Sequence, residues 1–341
     1  MPDSNQIAQA AAILAAGGLV AFPTETVYGL GADAENEQAV AAIYQAKGRP
    51  SNHPVIVHLA PEADLHYWVE EIPEPAHQLI AAFWPGPLTL ILKRSKHIPD
   101  SVSGGQDSIG IRCPSHPVAQ SLLRAFKNGR GGIAAPSANK FGRVSPTTAQ
   151  HVRDEFGEEL QPGGLISMVL DGAQSEVGIE STIVDLSRYA THGAVLLRPG
   201  HIDIDALTAV LGDAPVLPGD DSTNPRASGT LQSHYAPRTP VVIVPTSQMI
   251  PIVKQLQAAK RKVALLHYQP IVTDVEAPIC LSRHAAQYAH ELYASLRALD
   301  YENTDVIIVQ APPDTTEWHG VHDRLRRAAH DSLGVLARLL T

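Results

Sequence analysis

Two cations flank a glycine at Lys47-Gly48-Arg49, and a proline, Pro50, follows. A helix that releases Lys and Arg into a loop beside a strand suits a phosphate. Arg offers a planar fork of donors and Lys a compact charge. The same four residues also suit plain helix termination, because cations in the last turn complement the helix dipole and Gly-Pro stops the helix. Taken alone, termination is the simpler reading, so the choice between the two depends on the other polar clusters.

Those clusters recur along the chain. Thr24, Glu25, Thr26 and Tyr28 follow a short apolar run in a turn bounded by Pro23 and Gly29. Hydroxyls in a loop at a strand end can grip a small polar substrate, although Pro, Gly and Thr also favour turns without function. Ser108 and Arg112 share parity within SIGIR and therefore one face of a strand, where an Arg can clamp a carboxylate. Pro136-Ser137-Ala138-Asn139 precedes Ser145-Pro146-Thr147, which reads as a helix start with Ser145 as N-cap and Pro146 at the first helical position. Small polar residues before a helix N-terminus suit an anion or a ribose. Gly178-Ile179-Glu180-Ser181-Thr182 leads into another apolar run, Arg198-Pro199-Gly200 ends the next, and Ser233-His234-Tyr235-Ala236-Pro237 interrupts a nondescript loop.

Strands and helices must position these groups. Apolar spacing predicts a helix ending at Gly17-Gly18, a strand LVAF (19–22), a helix 36–47, a strand within PVIVHLA, a helix 75–84, strands at 88–92 and 108–112, and a helix 117–126. Further strands are expected at 132–135, 168–171, 181–186 and 194–198. From about 212 to 240 Pro, Gly, Ser and Asp dominate, which marks a linker. Beyond it strands at 241–244, 262–266, 278–281 and 304–310 alternate with helices to 260, at 285–299 and at 322–340, the pattern of a small parallel, doubly wound α/β domain. It carries no Gly-rich nucleotide fingerprint. The expected organisation is 1–211, a linker or lid 212–239, and 240–341.

Bulk properties narrow the classes. The 341 residues are too many for one ordinary core. A net charge of −9 argues against a general nucleic-acid surface. Cys113 and Cys280 form neither a disulfide framework nor a zinc site, which fits a reducing cytoplasm. The first residues read as a helix rather than a signal peptide, and no apolar run spans a bilayer. His319, His322 and His330 read as a solvated face, and no metal ligand is assigned.

Taken in order, FPTETVYGLG, KGRPSNHPVIVHLA, WPGPLTLIL, IGIRCP, APSANKFGRVSPT, GIESTIVDL and LRPG resemble the threonylcarbamoyl-AMP synthase (YrdC-like) family over roughly residues 5–210. The linker ending in SHYAP and the α/β tail resemble its longer two-domain form. The resemblance implies an N-terminal twisted mixed sheet with a large concave cavity and a small C-terminal Rossmann-like domain. It implies a reaction in which L-threonine, bicarbonate and ATP, with magnesium, give threonylcarbamoyl-AMP and pyrophosphate in the cytoplasm. A separate tRNA threonylcarbamoyl-transferase machinery then modifies adenosine 37 of tRNAs reading ANN codons. Tight tRNA binding by this chain is not expected.

By the same resemblance, Thr26, His58, Arg112, the Ala135 backbone and Ser181 (or Thr182) would border threonine. Lys47, Arg49, His53, Ser108, Ser137, Asn139, Ser145, Arg198, His234 and Tyr235 would hold ATP, the last two as a lid. Lys47 and Arg49 would act by positioning and charge, and no residue is assigned as nucleophile or general base. Relatives commonly carry Pro-Gly shortly before the HYAP run, whereas this chain has Ala227-Ser228-Gly229. Two rival classes are an RNA-binding module and another adenylating or carbamoyl-transferring enzyme on the same fold.

Overall fold

In the computed structural model, described here over residues 1–218, 224–230, 234–276 and 278–341, the chain forms two compact units. One comprises 1–141, 145–176 and 180–230; the other comprises 142–144, 177–179 and 231–341. Of the expected linker, 224–230 belong to the first unit and 234–239 to the second, while 219–223 and 231–233, including Ser233, lie outside the described residues.

The first unit is built on nine strands: β1 Leu19–Phe22, β2 Gly29–Asp33, β3 Ile56–His58, β4 Leu88–Lys93, β5 Ser108–Arg112, β6 Ile133–Ala134, β7 Ile166–Val169, β8 Thr182–Asp185 and β9 Val195–Arg198. Their order is β7-β1-β2-β6-β3-β5-β4-β8-β9, a mixed sheet. β3 and β5 run parallel, with His58 opposite Arg112, and β4 runs antiparallel to β5 and parallel to β8. Sequence spacing misses β2, because Gly29 and Gly31 read as turn residues. The glycines serve packing instead. A Cβ on Gly31 would lie 2.8 Å from the Phe22 ring and 2.9 Å from Ile133, closer than side chains tolerate.

The two faces of this sheet differ. Val57, Leu90, Leu92, Ile109, Ile111, Val184 and Leu196 face a large core closed by helices Glu37–Lys47, Glu74–Phe83 and Ile204–Leu211. The last of these helices is absent from the sequence expectation. The alternate residues Ile56, Ile91, Ile183, Val195 and Leu197 form a smaller apolar floor, to which Ala227 of the segment 224–230 is added. Period-two alternation places Ser108, Gly110 and Arg112 on the floor side of β5.

The second unit holds β10 Val241–Val244, β11 Val263–His267, β12 Ile279–Cys280 and β13 Val306–Gln310, all parallel, in the order β10-β13-β11-β12. Helices Thr246–Ala258 and Ser332–Leu340 pack one face through Met249, Val253, Leu256 and Val335. The helix expected at 322–340 is two helices, His319–Ala328 and Ser332–Leu340, broken around Ala329–Asp331. No helix among the described residues is long and apolar enough to cross a membrane.

Candidate active site

Buried charge gathers in the first unit. Helix Glu37–Lys47 is capped by Asn36, whose side chain accepts from the Gln38 and Ala39 amides, and it ends at Gly48 in the left-handed region, φ 63°. This turn sends Lys47 inward. The Lys47 side chain is 2% exposed, and its Nζ donates to the carbonyls of Ser137 and Asn139 at 2.6 and 2.5 Å. Burial, then the nearby Arg49 charge, holds its pKa well below the ordinary lysine value. Arg49 donates to the Pro54 carbonyl at 2.7 Å and lies 5.9 Å over the Phe141 ring, which also meets the His53 imidazole at 5.5 Å. Burial and the Arg49 charge lower the His53 pKa.

A second cation stands across the floor. Arg198, at the end of β9, donates to the Ser181 carbonyl from both Nε and a terminal nitrogen, to the Ser181 hydroxyl at 3.1 Å, and to the Ser228 carbonyl at 2.6 Å. The Ser228 hydroxyl in turn accepts from Arg49 at 3.4 Å. One residue of the strap 224–230 thus touches both arginines. Gln106 holds that strap in place: its side chain accepts from the Arg226 amide at 2.7 Å and donates to the Arg226 carbonyl at 3.1 Å. Ser181 and Thr89 share a hydroxyl contact of 2.7 Å. Thr182 exchanges hydrogen bonds with the Ile202 backbone, a structural tie.

A third cluster surrounds Arg112. Its Nη1 donates to the Thr26 hydroxyl at 2.8 Å and its Nε to the Gly86 carbonyl at 3.2 Å; Nη2 lies 2.6 Å from the Glu25 carboxylate. The Thr24 hydroxyl bridges Thr26 and the Val27 carbonyl, which shapes the turn that presents Glu25 and Thr26. His58, 3% exposed, lies beside Arg112 with Phe22 against its ring edge. Burial and then the Arg112 charge push its pKa down to about 3, so it is neutral. Ala135 is anchored through its amide to the Ile56 carbonyl. Cys113 is buried and its thiol is pushed up to about 12, which makes it no nucleophile.

One expectation is corrected by this geometry. Ser145 is not a helix cap: the helix begins at Ala149, and Thr148 caps it by accepting from the His151 amide. Residues 146 and 147 are taken by backbone bonds to Tyr28 and Ser175, and the Ser145 hydroxyl donates instead to Glu180. Ser108 shares the strand face with Arg112 but lies four residues away, about 13 Å along the strand. It borders a polar cavity of roughly 700 Å³ whose lining includes Lys93, Arg188, Asn224 and Arg226. His234 and Tyr235 belong to the second unit. There Tyr235, at φ 60°, lies under Arg324 at 5.4 Å and beside the Tyr293 ring, and the His234 amide donates to the Arg327 carbonyl. Sequence reasoning assigned no role to Glu25, Glu180, Thr89 or Gln106. A carboxylate set between two threonines in a turn was the one visible signal among them.

A mixed sheet with buried cations gathered around it, followed in the chain by a parallel α/β unit, is an α/β architecture whose charges suit an anionic substrate. Comparison with known proteins specifies the family. A family model for Sua5, YciO and YrdC, described as "Telomere recombination", matches residues 12–200. A second, described as the threonylcarbamoyl-AMP synthase C-terminal domain, matches residues 202–330. The chain is 36% identical to the threonylcarbamoyl-AMP synthase of Pyrococcus abyssi, over 94% of this chain and 93% of the relative. It is 40% identical to the enzyme of that name from Bacillus subtilis, over 96% and 94%. The solved structure of P. abyssi Sua5 complexed with L-threonine superposes with a TM-score of 0.88 at 34% identity, covering 97% of this chain and 96% of the other. A variant of the same archaeal protein in which a His-Tyr pair is replaced by alanines also gives 0.88, at 33% identity, covering 97% and 94%. The chain belongs to the threonylcarbamoyl-AMP synthase family of nucleotide-transferring enzymes.

Proposed function

We propose that this chain joins L-threonine, bicarbonate and ATP into threonylcarbamoyl-adenylate, releasing pyrophosphate. The observation that carries the reading is a set of buried cations in the first unit, Lys47, Arg49, Arg112 and Arg198, with Ser228 meeting both Arg49 and Arg198, in a chain whose full-length relatives bear the synthase name. The threonine amine adds to bicarbonate-derived CO₂ and forms a carbamate. A carbamate oxygen attacks the α-phosphorus, and pyrophosphate leaves with the bond's electron pair. Both partners in that step are anions, so buried cations lower the barrier by positioning and charge stabilisation.

In this reading Thr26, His58, Arg112, Ala135 and Ser181 serve threonine, while Lys47, Arg49, His53, Ser137, Asn139, Ser145 and Arg198 serve the nucleotide. Ser108 serves its far end, and His234 and Tyr235 act as a lid. Magnesium travels with the triphosphate. Among the described residues no three His, Cys, Asp or Glu side chains gather as a cage, and magnesium commonly keeps waters and phosphate oxygens as its ligands. The product feeds a separate tRNA-modifying transferase in the cytoplasm. Pyrophosphate release by purified protein, with threonine and bicarbonate omitted in turn, tests the reading. Release must need both; release that needs neither refutes it.

A further inference from the structure

Glu25 is a buried carboxylate that the proposed reaction leaves unused. It is 2% exposed. Among the described residues neither of its oxygens accepts a hydrogen bond, although Oε1 lies 2.6 Å from Arg112 Nη2. That contact has the distance of an ion pair without the alignment of a hydrogen bond. His58, the cross-strand neighbour of Arg112, likewise has its Nδ1 buried with no hydrogen-bond partner among the described residues. The pocket edge around Arg112 therefore holds two carboxylate oxygens that accept no hydrogen bond and one imidazole nitrogen without a partner. Buried acceptors of this kind are costly unless a donor arrives.

The charge arrangement says which donor. Arg112 spends one N–H on Thr26 and one on Gly86, which leaves donors for a carboxylate. A bare carboxylate arriving there would also meet the negative Glu25. A zwitterion meets no such conflict: its carboxylate goes to Arg112 and its ammonium, with three donors and one positive charge, to the unfilled acceptors. We propose that Glu25 is the counter-ion of the substrate's α-ammonium group, so that the Glu25–Arg112 pair selects an intact α-amino acid and rejects the corresponding hydroxy acid. The proposal rests on the reading of this cluster as the threonine site and adds the group that reads the amine. The alternative is that Glu25 only neutralises Arg112 and braces the turn after β1.

The test uses full-length protein and two ligands, L-threonine and (R)-3-hydroxybutyrate, which is threonine without its amine. Titration calorimetry on the wild type is expected to show the hydroxy acid binding at least about 30-fold more weakly, the range of one charge-assisted hydrogen bond or more. In Glu25→Gln, threonine affinity drops about 10- to 100-fold and the gap between the two ligands closes to a few-fold, while the KM for ATP stays within about threefold. A brace would weaken both ligands alike and keep the gap. Equal binding of both ligands by the wild type overturns the proposal without any variant, even if Glu25→Gln does not fold. Threonine-dependent pyrophosphate release by the wild type separately checks the site reading. If that release occurs and the ligand gap is absent, Glu25 is wrong and the synthase reading stands. If threonine neither binds nor supports release, both fall.

Discussion

Replacing Lys47 by methionine keeps the side chain's length and removes its ammonium. Two charge-assisted bonds disappear, those to the Ser137 and Asn139 carbonyls, each worth roughly 1.5–3 kcal/mol. The Ser137 carbonyl retains the Asn139 amide as a partner, which softens one loss. Against both stands the relief of a buried charge, a term of several kcal/mol, whose sign is already visible in the lowered pKa. The terms nearly cancel, so Lys47→Met is expected to cost about 2 kcal/mol of stability or less. Activity has no such offset. Loss of one preorganised positive group beside the phosphates costs about 10²–10³ in kcat. The pH dependence adds a sign. The folded pKa of Lys47 lies below the ordinary 10.5, so over that interval the unfolded chain binds the extra proton and wild-type stability rises with pH. The variant loses that rise. Denaturant melts at pH 7 to 10, run beside pyrophosphate release, measure both quantities. A variant that loses several kcal/mol of stability but less than tenfold in turnover would show Lys47 to be a strut for the 137–139 loop and refute the phosphate reading.

Other outcomes follow from the same geometry. His58, with its pKa held near 3 by burial, stays neutral as acid protonates the unfolded chain, so stability falls between about pH 6.5 and 3 by up to about 5 kcal/mol; urea unfolding of His58→Gln should show a flatter acid limb. Gly31→Ala sets a methyl against Phe22, Ile133 and the Val20 carbonyl, and is expected to cost about 3 kcal/mol or more in a thermal melt. Thr182→Val removes the tie to Ile202, and should lower stability by about 1–2 kcal/mol with turnover of the folded fraction unchanged, whereas Ser181→Ala should raise the KM for threonine. Gln106→Ala frees Arg226 from both of its backbone bonds; it should leave the melting temperature within a few degrees and raise the KM for ATP, as Ser228 loses its hold between Arg49 and Arg198. An unchanged ATP KM would show the strap to be incidental.

Much was legible in the sequence because local chemistry is strongly encoded here. The helix end at Lys47-Gly48, the parity of Ser108 and Arg112, and the parallel strands of the second unit all follow from residue type and period, which depend only on near neighbours. The seven motifs placed the family in the same way. Other features rest on contacts between residues far apart in the chain. Gly29 and Gly31 look like turn residues until Phe22 and Ile133 are seen to fill the space a Cβ would need. Ser145 resembles a cap until Glu180, 35 residues away, takes its hydroxyl. Ser228 looks like an ordinary loop residue, and only the fold sets it between two arginines. Glu25 was visible as a residue, but its unmet acceptors appear only when Arg112, on a strand 86 positions after Thr26, arrives beside that threonine. Periodicity determines which face a side chain takes. Which faces meet, and which buried charges are left without partners, is decided by non-local packing, and so by the tertiary structure alone.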